Sequence, residues 1–311
     1  MYRYLPLCLV LLGCAKDSPS ISVTSITIAP AQVTLTPGAT QQLAIAFTPP
    51  NATNQTVSWT SSDGGVATVN GTGLITAVGT GAATIVATTA EGGKSSQCNV
   101  TVADPNQVTY NGANWKLHNP DVFSIKTNNG ADLQLDLERN ALWYNTSEGG
   151  QMYREVEGNF VLTAHVQSVK KSNNAQATEC SVCLGGLMAR NPAATSADED
   201  YVHLVSGVTP GGHGAEMKST TNSNSVYQPT GNNQFPFTDG QLSHDLKLQR
   251  TGSVFAFYKK SPADADWVLL GTEDRPDLPS TLAVGINIYT SVTGAGVADL
   301  SVKFHQITIA Q

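Results

Sequence analysis

The sequence predicts an all-β chain built as two sandwiches, a small one followed by a large one, and three observations carry that reading. Apolar and polar residues alternate with period two through most of the chain, from Ile26-Thr27-Ile28 to Ile307-Thr308-Ile309. Gly, Thr, Ser, Asn and Val are plentiful while Glu, Lys and Leu are scarce, a mixture that favours strands and turns over helices. Turn signals such as Pro37-Gly38, Asp63-Gly64-Gly65, Asn70-Gly71 and Gly79-Thr80-Gly81 interrupt the first part every ~8–12 residues, the spacing of a sandwich. A length of 311 residues carries about two domains.

The first element is not part of either sandwich. Arg3 is followed by an apolar run from Leu5 to Leu12, then Gly13 and Cys14, the positive, greasy and small order of a secretory leader. The run is far shorter than the ~20 apolar residues that a membrane-spanning helix needs. With cysteine directly after the small residue, residues 1–13 resemble a bacterial lipoprotein signal peptide. That resemblance implies cleavage before Cys14, lipidation of Cys14, and a polar tether over residues 14–20. Ala15 stands where an aspartate would imply inner-membrane retention, so an outer-membrane location, lipid-anchored and open to cell-surface exposure, is expected. The net charge of −7, with no basic stripe, argues against nucleic acid or an anionic membrane surface as a partner.

Residues 21–103 form the next element. Its strand candidates are Ile26–Ile28, Val33–Leu35, Leu43–Phe47, Val57–Trp59, Val66–Val69, Leu74–Ile75, Ala83–Ala87 and Val100–Val102. Seven or so short strands in about 80 residues read as an Ig-like sandwich without the Cys…Trp…Cys staple, so packing alone must hold it. Leu35-Thr-Pro-Gly38, Val57-Ser-Trp59-Thr-Ser-Ser-Asp63, Val66-Ala-Thr-Val69, Gly73-Leu-Ile-Thr-Ala77 and Gly79-Thr-Gly81 occur in that order. In these pieces the stretch resembles the bacterial Ig-like domain of group 2, which implies a spacer or adhesive module.

Asp104-Pro105-Asn106 marks a boundary, and residues 106–311 again lack a helical pattern. Phe160–Gln167, Gly186–Arg190, Tyr201–Val205, Val254–Tyr258, Leu282–Tyr289 and Val302–Ile309 alternate strictly, as expected of a large two-sheet jelly roll. Leu142-Trp143-Tyr144-Asn145-Thr146, Glu157-Gly-Asn-Phe-Val161, Gly186-Leu-Met-Ala-Arg190, Leu248-Gln-Arg-Thr-Gly252 and Asp266-Trp267 resemble the concanavalin A-like lectin/glucanase sandwiches. The nearest likeness is a bacterial subgroup found alone or appended to glycoside hydrolases, in which one concave sheet is the expected glycan face.

Alternation also assigns faces. It turns Leu162, Ala164, Val166, Leu187, Ala189, Val202, Leu204, Val284, Ile286 and Ile288 inward. It leaves His165, Gln167, Arg190, Tyr201, His203, Asn287 and Tyr289 on the other side, joined by Glu216 and Lys218 from Ala215–Ser219. If these strands share a sheet, they offer aromatic rings for sugar faces and hydrogen bonds for hydroxyls, so they are the carbohydrate-binding candidates. Trp143-Tyr144 fits either a sugar platform or core.

Two smaller clusters complete the inventory. Cys180 and Cys183 are spaced to close a local disulfide, and no second CxxC or HxxxH completes a zinc set. Asp198, Glu199 and Asp200 are weak candidates for Ca²⁺, and no other cofactor is expected. No Glu-x-Asp-x-Glu strand is present; Asp132-Leu-Gln-Leu-Asp-Leu-Glu138 is the nearest imitation. The expectation is a non-catalytic, glycan-binding envelope protein. The alternatives are an adhesin with a protein partner and a divergent glycoside hydrolase.

Overall fold

The computed structural model describes residues 19–209, 211–228, 237–291 and 296–311, so Cys14 and the leader lie outside the described residues. The chain divides into two compact units between Asp104 and Pro105. Both are all-β: the first is an Ig-like sandwich and the second a larger jelly-roll sandwich.

In the first unit the strands are β1 (Ser25–Ala29), β2 (Gln32–Leu35), β3 (Thr40–Gln42), β4 (Ala44–Thr48), β5 (Val57–Ser61), β6 (Ala67–Val69), β7 (Leu74–Ala77), β8 (Gly81–Thr89) and β9 (Ser95–Val102). They pair as β1-β4, as β2-β9-β8-β5 and as β3-β7-β6. Period two explains the core directly: Ala83, Ile85 and Ala87 of β8 and Cys98, Val100 and Val102 of β9 all point inward. Burying one such Ile or Val side chain contributes about 1.5–3 kcal/mol. The turn at Gly73 (φ +82°) can only be glycine, because a Cβ there would lie 2.6 Å from the Trp59 ring.

In the second unit the strands are β10 (Gln107–Tyr110), β11 (Ala113–His118), β12 (Phe123–Asn128), β13 (Asp132–Leu137), β14 (Gly150–Glu157), β15 (Phe160–Val169), β16 (Cys183–Arg190), β17 (Tyr201–Thr209) and β18 (Gly212–Thr221). They continue as β19 (Asn224–Gln228), β20 (Phe237–Thr238), β21 (Ser243–Thr251), β22 (Val254–Lys260), β23 (Val268–Asp274), β24 (Thr281–Thr290) and β25 (Ser301–Ala310). A nine-stranded sheet runs β10-β11-β14-β24-β16-β17-β18-β19, with β20 added beside β18. A seven-stranded sheet runs β12-β13-β25-β15-β21-β22-β23. The residues that alternation turns inward fill the space between the sheets: Leu162 and Val166 from one, Leu187, Val202, Leu204, Val284 and Ile286 from the other.

The topology corrects one expectation. His165 and Gln167 belong to β15 in the seven-stranded sheet, whereas Arg190, Tyr201, His203, Asn287 and Tyr289 belong to the nine-stranded one. Each set is outward on its own sheet, so the seven residues stand on opposite sides of the sandwich. Period two defines a side within one strand, but which strands become neighbours is decided by long-range pairing.

Candidate functional site

The second face of the nine-stranded sheet is a closed array of rings and polar groups. Register builds it in rows. One row runs Gln151 (β14), Asn287 (β24), Gly186 (β16), Val205 (β17) and Glu216 (β18). The next carries Met188, His203 and Lys218, and another carries Arg190, Tyr201 and Thr220. Across the rows the rings touch in sequence. His118 stacks on Trp143 at 5.6 Å, Trp143 meets Tyr201 edge-on at 5.6 Å, Tyr201 lies 5.3 Å from His203, and His203 stacks on Tyr289 at 5.6 Å.

Between the rings sits a charged centre. Lys218 Nζ lies 3.1 Å from Glu216 Oε1, His203 Nε2 lies 3.6 Å from the same oxygen, and the Tyr289 hydroxyl donates to it at 3.3 Å. Lys218 is also 5.2 Å from the Tyr144 ring and 5.5 Å from that of Tyr289, within cation–π range. Burial pushes the His203 imidazole down to about 4, so it is neutral at physiological pH. Burial also opposes the Glu216 charge, but Lys218 and His203 outweigh it and hold the carboxyl below its ordinary value. The centre therefore carries one negative and one positive charge.

Polar groups on this face outnumber their protein partners. His203, Asn287 and Gln151 are fully buried. Both ring nitrogens of His203, both amide atoms of Asn287, Gln151 Oε1 and Glu216 Oε2 have no hydrogen-bond partner among the described residues. A buried polar atom left unpaired costs about 1–3 kcal/mol, so six of them on one face demand an explanation. The segment from Ala141 to Gly149 covers part of this face. Tyr201 donates to the Trp143 carbonyl, and Asn145 exchanges hydrogen bonds with Ser225 at 3.0 and 2.8 Å. Gly149 has no side chain because a Cβ there would overlap the Trp143 indole.

The open outer face expected from alternation is thus corrected: the nine-stranded sheet's candidates point the expected way but are covered. Arg190 is the furthest from a free ligand-binding group. Its guanidinium grips Glu199 through two bonds of 2.6 and 2.9 Å, and both side chains are buried. This pair also removes Glu199 from any Ca²⁺ set. Asp198 accepts from Thr195, and Asp200 accepts from the Asn222 backbone at 2.8 Å and faces Arg275 at 3.5 Å. The three carboxylates diverge to separate partners, and no group of three metal-ligating side chains converges among the described residues. Cys180 and Cys183 are joined as a disulfide, their Cα atoms 5.9 Å apart.

Gln151 escaped the sequence reading. The signal for it lay in Gln151-Met152-Tyr153-Arg154-Glu155-Val156, where Met152 and Val156 mark the inner side and Gln151 the other. A second unforeseen array lies inside the sandwich. Ser206 Oγ is 2.8 Å from His244 Nδ1, and His244 Nε2 is 3.1 Å from Asp239, which also accepts from Lys259 and Ser261. Ser206 and His244 are wholly buried, so this Ser-His-Asp line ties β17 to β21 across the core and presents no nucleophile to solvent.

Residues 22–100 match the bacterial Ig-like domain, group 2. The chain is 42% identical over 84 residues to an Ig-like virion protein of Serratia phage KSP90, a stretch covering 27% of this chain and 33% of that protein. The chain therefore spans about a third of the length of that curated relative. Among solved structures, a functionally unknown protein from Saccharomyces cerevisiae aligns with a TM-score of 0.47 at 15% identity, covering 65% of this chain and 98% of that one. Xylan β-1,4-xylosidase from Bacillus halodurans C-125 aligns with a TM-score of 0.46 at 12% identity, covering 79% of this chain and 52% of that one.

Proposed function

We propose that this chain is a lipid-anchored, non-catalytic protein of the bacterial outer membrane whose larger sandwich binds carbohydrate on the ring-lined face of the nine-stranded sheet. The Ig-like sandwich serves as its spacer, and Cys14 carries the lipid. The observation that supports the ligand is the set of unpaired amide, imidazole and carboxylate atoms set among Trp143, Tyr201 and Tyr289. A sugar ring answers both needs at once, stacking its apolar face on an aromatic ring and giving hydroxyls to the unpaired atoms. Because Glu216 and Lys218 balance and His203 is neutral, the matching ligand is uncharged. Trp143 borders this face, so a ligand bound there is read through indole fluorescence.

The non-catalytic reading rests on what Glu216 faces. A retaining glycosidase needs two carboxyl groups ~5–5.5 Å apart. Glu216 faces Lys218 and His203 instead, while Glu199 is held by Arg190.

A neutral-glycan array, followed by titration of the best hit while Trp fluorescence is read, tests the proposal. Saturable binding that Asn287→Ala reduces at least about tenfold, with the melting profile retained, is the expected outcome; such a loss corresponds to about 1.4 kcal/mol. Binding that Asn287→Ala and Tyr289→Phe both leave untouched moves the ligand off this face. Release of reducing sugar from the bound polysaccharide would replace the binding role with hydrolysis.

A further inference from the structure

The seven-stranded sheet carries, on its open face, two neighbouring histidines, each paired with an aspartate. His165 of β15 and His305 of β25 are direct cross-strand partners. Opposed residues on one face of an antiparallel pair have Cβ atoms about 4.5–5.5 Å apart, close enough for two imidazoles to meet at one ion. Each ring is held from behind through Nδ1: His165 by Asp245 at 2.8 Å, and His305 by Asp132 at 2.6 Å. In a neutral imidazole a carboxylate at Nδ1 favours the proton on that nitrogen, which leaves the Nε2 lone pair for a ligand. A carboxylate behind an imidazole is the arrangement that orients metal-bound histidine and raises its basicity.

The backbone is shaped for this pairing. Between Thr163↔Thr308 and His165↔His305 the register slips, with Ala164 on β15 opposite both Gln306 and Ile307 on β25. Gln306 takes φ +52°, a left-handed conformation that a non-glycine residue rarely adopts. Such bulges re-aim a neighbouring side chain, and here the neighbour is His305. Both histidines line the same two adjoining surface depressions, one shared with Gln167 and Lys303, the other with Trp267.

We infer that His165 and His305 form a two-imidazole site for a borderline divalent cation of the Zn²⁺ class, with Asp245 and Asp132 as the groups that hold the two rings. No third His, Cys, Asp or Glu converges on the site among the described residues, so solvent or a bound ligand completes the coordination. Imidazole nitrogen suits Zn²⁺, Cu²⁺ or Ni²⁺ and not Ca²⁺ or Mg²⁺, which take oxygen. The site stands on the opposite sheet from the carbohydrate face and does not depend on that reading.

The test is calorimetric titration of the whole, tag-free chain with ZnCl₂, repeated with CaCl₂. One Zn²⁺ per chain is expected, with no saturable Ca²⁺ heat. His165→Ala and His305→Ala should each abolish the saturable Zn²⁺ phase, and the partly exposed setting of both residues keeps the fold intact as read by melting. Asp132→Asn and Asp245→Asn should each weaken it by about 10–100-fold. No Zn²⁺ binding in the parent chain, or binding that survives both histidine substitutions, overturns the inference. So does loss in the His variants without any effect of the Asp variants, since the rings would then not be held as described.

Discussion

The two sheets of the larger sandwich obey the same two-residue period and end in opposite situations. In the seven-stranded sheet, β15 alternates between buried and half-buried residues from Phe160 to Gln167, and β21 does so from Ser243 to Arg250. In the nine-stranded sheet, β16 is buried at all eight positions, and β17 and β24 are buried at all but one. Alternation therefore reports which side a residue faces but not whether that side is covered. A covered face must satisfy its charges from within the protein, whereas an open one has water. That difference sets the expected size of every substitution on the two faces.

The largest effect belongs to the buried Arg190–Glu199 pair. Glu199→Ala leaves the guanidinium buried without its carboxylate, and breaking such a pair costs about 3–5 kcal/mol. Equilibrium urea unfolding of residues 105–311 within the whole chain, followed by intrinsic fluorescence, measures it. The double replacement Arg190→Met with Glu199→Leu removes both charges together and should recover most of the loss. A double variant as unstable as the single one would mean that the pair's shape, not its charge, holds the face shut.

Acid should open the covered face next. His203 is held at about 4 by burial against 6.5 for an exposed imidazole, with Lys218 pushing the same way and Glu216 against. Between those values the unfolded chain binds a proton that the folded chain refuses. Stability is therefore highest above pH 6.5 and falls as pH drops towards 4, by up to about 3 kcal/mol from this group. Burial lowers His118 and His244 as well, so they contribute with the same sign. Comparing unfolding midpoints at pH 7.5, 5.5 and 4.5 for the parent and His203→Gln isolates the His203 share. Parallel profiles for the two proteins would remove His203 from the acid response.

What the sequence revealed and withheld divides along the same line. Local pattern was enough for strand content, for the inward set from Leu162 to Ile288, and for the outward direction of Tyr201, His203, Asn287 and Tyr289, because each depends on residues two apart. Sheet membership was not legible: β15 pairs with β21 and β25, some 80 and 140 residues away in sequence, and nothing within Phe160–Val169 says so. Cover was equally invisible, since it comes from a segment around Trp143 whose sequence suits a sugar platform and core alike. The Asp132–His305 and Asp245–His165 pairs also needed the register, because neither aspartate is near its histidine in sequence.

The smallest effect is expected where the face is open. His165 and Asp245 are each more than two-fifths exposed in their side chains, and a hydrogen bond that water can replace contributes about 1 kcal/mol or less. Asp245→Asn should therefore shift the urea midpoint little, even as it weakens Zn²⁺ binding. Its melting temperature should move by no more than about 2–4 °C, the scale for 1 kcal/mol in a domain of this size. A loss approaching that of Glu199→Ala would contradict the contrast between the sheets. It would mean that the open face is load-carrying in the fold and that its histidines are structural, not poised for a ligand.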